Sequence, residues 1–165
     1  MKKIPHLRWW IIGLICLATT INYIDRQAIS VVAPIISKEF NLTPLDYSWL
    51  PFWFLFSYSL MQIFSGRFID VIGTKKGFTF SIIWWSIANM LHAFGNGVMS
   101  FSVFRFLLGV GEAGNYPAAL KAIAEWFPKK ERSTAVGIVS AGTGLGAMLA
   151  PPTMAFFIYY FGFGV

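Results

Sequence analysis

Long apolar stretches separated by short charged clusters run through the whole chain. The apolar stretches fall at about 9–36, 47–69, 77–94, 98–127 and 133–161. A helix needs roughly 20 mainly apolar residues to cross the hydrocarbon of a bilayer. The pattern therefore predicts five membrane-spanning helices. They are preceded by a segment at 1–8 and followed, at 162–165, by the start of a loop. Asp25 and Arg26 interrupt the first stretch, and Arg105, Glu112 and Lys121 interrupt the fourth. The fifth carries Gly142 and Gly146 four apart, a small-residue face that allows close helix contact. Pro151 and Pro152 follow and are expected to bend that helix.

Charge then orients the spans. Lys2, Lys3 and Arg8 precede the first, Arg67, Lys75 and Lys76 lie between the second and third, and Lys129, Lys130 and Arg132 lie between the fourth and fifth. If the spans alternate, all nine share one side, while the other side carries Lys38 beside Glu39 and Asp46. Cytoplasmic loops carry the excess of Lys and Arg, so the N-terminus is expected in the cytoplasm. Trp9, Trp10 and Trp126 fall at the inner interface and Trp49 near the outer one, the levels that amphipathic rings favour.

Composition agrees. Only 12% of the 165 residues are charged, 56% are hydrophobic, and the mean hydropathy is +0.63. Soluble domains carry roughly 25% charged residues. The net charge of +6 comes from loop clusters, not from a basic stripe on a polar domain, so no nucleic-acid partner is expected. Cys16, the one cysteine, lies in an apolar stretch and reads as an inert thiol. His6 and His92 fall at opposite interfaces, so no metal pair, no cofactor and no Ser–His arrangement is expected, and an intramembrane enzyme is a remote reading.

Ionisable groups inside hydrocarbon are costly and mark function by default. Asp25 lies 16 residues beyond Trp9, and Glu112 lies 15 before Phe127. At 1.5 Å per residue both sit about 22–24 Å from the inner boundary. Arg26 and Glu112 are then at matching depth if spans one and four are neighbours, with Arg105 about 10 Å nearer the outside. Two readings stand: buried salt bridges that lock two helices, or charges lining an aqueous cavity. Buried pairs are weak devices for stability, which favours the cavity. Asn22, Tyr23, Gln27, Tyr58, Gln62, Asn115 and Tyr116 extend it with amides and phenols. One guanidinium among acids, amides and phenols suits a hydroxylated anion. Lys121 is near enough to the inner end to reach water. Asp70 poses a problem, because a helix C-terminus disfavours an anion; a basic group or another helix N-terminus is needed beside it.

The run from Gly66 through Arg67-Phe68-Ile69-Asp70-Val71-Ile72-Gly73-Thr74-Lys75 to Lys76 resembles the signature loop of the major facilitator superfamily. Arg105 followed four later by Gly109 is similar to a second motif of that family. Asn22-Tyr23-Ile24-Asp25-Arg26, Gly111-Glu112-Ala113 and Glu125-Trp126-Phe127-Pro128 resemble its anion:cation symporter branch. Leu7-Arg8-Trp9-Trp10 and Ala147-Met148-Leu149-Ala150-Pro151-Pro152 look most like bacterial hexuronate permeases.

The resemblance implies an all-α integral membrane fold, the N-terminal part of a major-facilitator helical bundle with five of an expected twelve helices. It implies proton-coupled uptake of a sugar acid, a hexuronate such as glucuronate or galacturonate, across a bacterial inner membrane. Arg26 would bind the substrate carboxylate and Glu112 would carry the proton, with Asp25 and Arg105 as further coupling groups. Gly66, Asp70, Gly73 and Lys76 would gate the inner end. The implied partners are the sugar acid, protons, the lipid bilayer and a missing C-terminal half. Alternatives are galactonate or glucarate symport, organic-phosphate exchange, and, remotely, a non-transporting sensor.

Overall fold

The computed structural model describes residues 6–161. Lys2, Lys3 and the loop expected at 162–165 lie outside the described residues. The described residues are mostly helical: α1 (Leu7–Glu39), α2 (Pro44–Ile72), α3 (Thr74–Leu91), α4 (Val98–Glu112), α5 (Asn115–Trp126) and α6 (Arg132–Phe161). Short 3-10 turns at His92–Phe94 and Lys129–Glu131 follow α3 and precede α6.

Local chemistry sets the boundaries. Thr43 opens α2 with a reciprocal cap. The Asp46 N–H donates to Thr43 Oγ1 (3.2 Å), and the Thr43 N–H donates to Asp46 Oδ2 (3.0 Å), with Pro44 at the first helical position. This satisfies two orphan donors at once. Gly73 closes α2 at φ +87°, a conformation that favours glycine, and α3 begins one residue later. Pro128 follows α5, and Arg132 donates to Phe127 O (3.0 Å) and Ala124 O (2.7 Å). A cation on the last carbonyls of a helix is favourable both by hydrogen bonding and by the dipole.

The stretch 98–127, expected as one span, is two helices separated at Ala113 and Gly114. Pro117 is the cause. It has no N–H to give the carbonyl four residues back, so Ala113 O loses its intrahelical donor. Ser65 Oγ of α2 supplies one at 3.1 Å. The break falls immediately after Glu112 and before Asn115. The bend expected at Pro151 and Pro152 does not interrupt α6, which stays helical through both.

The described residues fall into two compact units, one formed by the chain up to Val32 with that from Ala122, the other by Ala33–Lys121. In the second, α2, α3 and α4 pack around Phe54, Trp85, Ala88 and Leu108, with Tyr58, Ile82 and Leu107 against them. Small residues permit the approach: a Cβ at Gly109 would lie 2.5 Å from Phe54 O, and one at Gly111 would lie 2.9 Å from Trp85 N. Trp84 donates through Nε1 to Leu107 O at 2.9 Å. In the first unit, α6 lies close along α1. A Cβ at Gly142 would meet Cys16 O at 2.7 Å, and one at Gly146 would meet Thr20 O at 2.5 Å.

Large apolar side chains cover the outside of the helices, among them Ile63, Val71 and Met99, each three-quarters or more exposed. Contiguous exposed apolar surface of this kind marks contact with lipid or partner protein. α1 and the stretch Lys129–Tyr160 are each long and apolar enough to cross a membrane.

Candidate functional site

In the unit Ala33–Lys121, Arg105 and Glu112 are the most deeply placed charges, 3% and 0% exposed. Seven residues apart on α4, they share one face. Neither is without a partner, as desolvation demands of a buried ion. The face is held in place from both sides. Gly109, between them, sits against Ser57 and Phe54 of α2, and Gly111 sits against Trp84 and Trp85 of α3. Beyond the helix break, Asn115 is buried, and its Oδ1 has no hydrogen-bond partner among the described residues. Tyr116 is exposed. Gln62 Oε1 is likewise buried without a partner among the described residues. Tyr58 stacks on Phe54 with centroids 5.8 Å apart and packs against the buried cluster, so its ring serves the core.

In the other unit, the second half of α1 carries the remaining predicted residues. Asn22 is 1% exposed, with Nδ2 lacking a partner among the described residues. Asp25, Arg26, Tyr23 and Gln27 are half-buried. The Arg26 guanidinium stands 4.8 Å from the centroid of the Tyr23 ring. A flat cation on an aromatic face is held in orientation and partly desolvated while its edge donors stay available. Neither Asp25 nor Arg26 is without a partner.

The predicted inner loop is built as follows. Gly73 turns the chain, Gly66 has open space around its Cβ position, and Lys76 is exposed in the first turn of α3. Gly77 admits Ile69, whose Cγ1 would lie 2.9 Å from an added Cβ. The cation that Asp70 needs is Lys121: Nζ stands 2.8 Å from Asp70 Oδ1 and also donates to Ile69 O at 3.1 Å. One ammonium thus neutralises the acid and caps the end of α2. Sequence reasoning set Lys121 aside as a residue near water, because a pair 51 positions apart leaves no local signal.

A second contact escaped it altogether. Arg8 at the start of α1 pairs with Glu131 at 3.1 Å, its guanidinium 5.8 Å from the Phe127 ring centroid. Trp9 meets Phe127 edge to face at 5.3 Å. The beginning of α1 and the α5–α6 connection therefore lie at the same end of their unit.

Comparison with known proteins gives this arrangement its family. The family model of the Major Facilitator Superfamily matches residues 15–165. The chain is 39% identical over 158 residues to the galacturonate transporter of Dickeya chrysanthemi, covering 96% of this chain and 46% of that protein. It is 37% identical to the hexuronate transporter of Escherichia coli (strain K12), covering 96% of this chain and 37% of that protein. Among solved structures it superposes on a bacterial homolog of the human lysosomal transporter Spinster, in an inward-facing and unoccupied conformation. There the TM-score is 0.84 at 27% identity, over 98% of this chain and 36% of that one. The chain spans less than half the length of the curated relatives it matches. It belongs to the Major Facilitator Superfamily.

Proposed function

We propose that this chain forms part of a secondary transporter that takes up a hexuronate such as galacturonate or glucuronate together with protons. The activity is proposed for a protein of its relatives' full length. The observation that carries it is the burial of Arg105 and Glu112 on one face of an apolar helix, in a chain similar to galacturonate and hexuronate transporters. A purely structural role would make expensive use of two charges.

The roles follow from chemistry. Arg26, with its guanidinium steadied on Tyr23, binds the substrate carboxylate by a charge-assisted fork. Asn22, Gln27, Tyr58, Gln62, Asn115 and Tyr116 supply donors and acceptors for the sugar hydroxyls. Glu112 carries the proton, Asp25 is a second protonatable group, and Arg105 tunes the acids near it. Substrate enters with Glu112 protonated, the site changes the side to which it opens, and loss of the proton inside lets the anion leave. Gly66, Asp70, Gly73 and Lys76 gate the inner end, where Lys121 holds Asp70. The N-terminus is cytoplasmic in this reading, consistent with Arg8 and the Lys129–Arg132 cluster lying at one end of their unit. The membrane is the bacterial inner membrane.

The test is uptake of radiolabelled galacturonate by proteoliposomes holding the full-length protein. An inward proton gradient should drive accumulation, with glucuronate competing. Accumulation that needs internal counter-substrate and ignores the proton gradient would replace symport with exchange.

A further inference from the structure

On α4 the faces divide sharply. Relative to Arg105, the side chains of Phe106, Met99 and Val103 lie about 100°, 120° and 160° round the helix. These three face away from the charged pair. Together with Trp49 and Trp53 of α2 they enclose a groove of about 560 Å³. That is the size range of a small-molecule site, yet its walls are almost wholly apolar. Trp53 meets Phe106 at 6.3 Å between centroids. Met99 and Val103 are 78% and 47% exposed, so the groove is open along one side.

Two polar groups interrupt it. Ser102 is 6% exposed, and its Oγ has no hydrogen-bond partner among the described residues. Other helix serines in this unit satisfy theirs locally, as Ser57 does by donating to Phe54 O at 3.0 Å. A buried hydroxyl left open is costly and lies ready to donate to a ligand. At the mouth stands Asp46. Its carboxylate accepts from the Thr43 hydroxyl (2.7 Å) and backbone N–H (3.0 Å), which holds it below the usual carboxylate range and therefore anionic. Ser102 lies four residues into α4, about 6 Å from its end. In helices that cross a bilayer, a residue in the first turn, as Asp46 is in α2, falls near the headgroups, and one a turn deeper, as Ser102 is in α4, falls near the glycerol esters. Trp49 at the rim suits the same interface.

We infer that this groove binds one acyl chain of an aminophospholipid from the leaflet at the N-terminal ends of α2 and α4. The ester carbonyl accepts from Ser102 Oγ, and the headgroup ammonium lies beside Asp46. Charge decides the headgroup: an anionic rim repels a net-negative lipid and pairs with an ammonium. The sugar-acid substrate is excluded by the apolar walls and the carboxylate at the mouth.

The experiment uses the full-length protein in nanodiscs of equal phosphatidylethanolamine and phosphatidylglycerol, released for native mass spectrometry. A retained phosphatidylethanolamine adduct is expected, enriched over phosphatidylglycerol. Val103→Trp, which fills the groove, should cut the adduct about tenfold, roughly the effect of 1.4 kcal/mol. Met99→Trp provides a second route if the first variant loses its cooperative thermal transition. Asp46→Asn keeps an acceptor for Thr43 and should retain the adduct while erasing the headgroup preference. Wild-type adduct levels in the folded tryptophan variants would overturn the proposal, as would equal retention of both lipids by the wild type. A protein dimer in place of a lipid adduct would assign the groove to a second copy and overturn it too.

Discussion

Lys121 Nζ and Asp70 Oδ1 stand 2.8 Å apart, joining the middle of α5 to the end of α2 beside the α2–α3 turn. The same ammonium donates to Ile69 O, so a single side chain answers both the acid and an orphan carbonyl. Replacing Lys121 with Met should lower thermal stability by about 1 kcal/mol or less, since Asp70 is largely exposed. Asp70→Asn should cost a similar amount, and the double variant little more than either alone. Additive losses measured by thermal unfolding in detergent would show that the two side chains do not act on each other.

The break between α4 and α5 makes a sharper prediction. Ser65→Ala leaves Ala113 O without a donor and should cost about 1 kcal/mol. Adding Pro117→Ala restores an N–H at the position that ordinarily serves that carbonyl. The serine should then matter less than half as much, as read by denaturation midpoints of the four proteins.

Close helix contact in the other unit is equally testable. Gly142→Leu and Gly146→Leu place a side chain where a Cβ alone already meets the carbonyl oxygens of Cys16 and Thr20. Both should abolish folded protein in size-exclusion profiles. Gly137→Ala and Gly144→Ala, with nothing within 4 Å of the added Cβ, should behave as wild type.

Acid should fray the start of α2. Hydrogen bonds from Thr43 lower the folded-state pKa of Asp46, so the cap contributes stability above the unfolded carboxylate pKa. That contribution fades as pH falls through the folded value. Amide exchange at 46–49 should quicken on acidification in the wild type and be pH-independent, beyond intrinsic chemistry, in Asp46→Asn.

What the sequence disclosed depended on range. Long apolar stretches announced the helices, and buried charges announced themselves by their cost, because both signals are local. The signature loop carried the family in eleven consecutive residues. By contrast, Pro117 was visible in the interior of the fourth stretch, but membrane helices tolerate proline, so its presence alone did not place a break there. Only Ser65, 48 positions away, shows that the freed carbonyl is provided for. The pairing of Lys121 with Asp70 stayed hidden for the same reason, the two lying 51 positions apart. Tyr58, expected from the sequence as a phenol for the substrate, also packs its ring on Phe54, a second use of the side chain that no local signal disclosed.

The central claim is that Glu112 carries the proton. The measurement is galacturonate transport by full-length Glu112→Gln in proteoliposomes, comparing proton-driven uptake with counterflow exchange. The account predicts that accumulation driven by the proton gradient is lost while counterflow persists. Proton-driven accumulation at the wild-type level would contradict it.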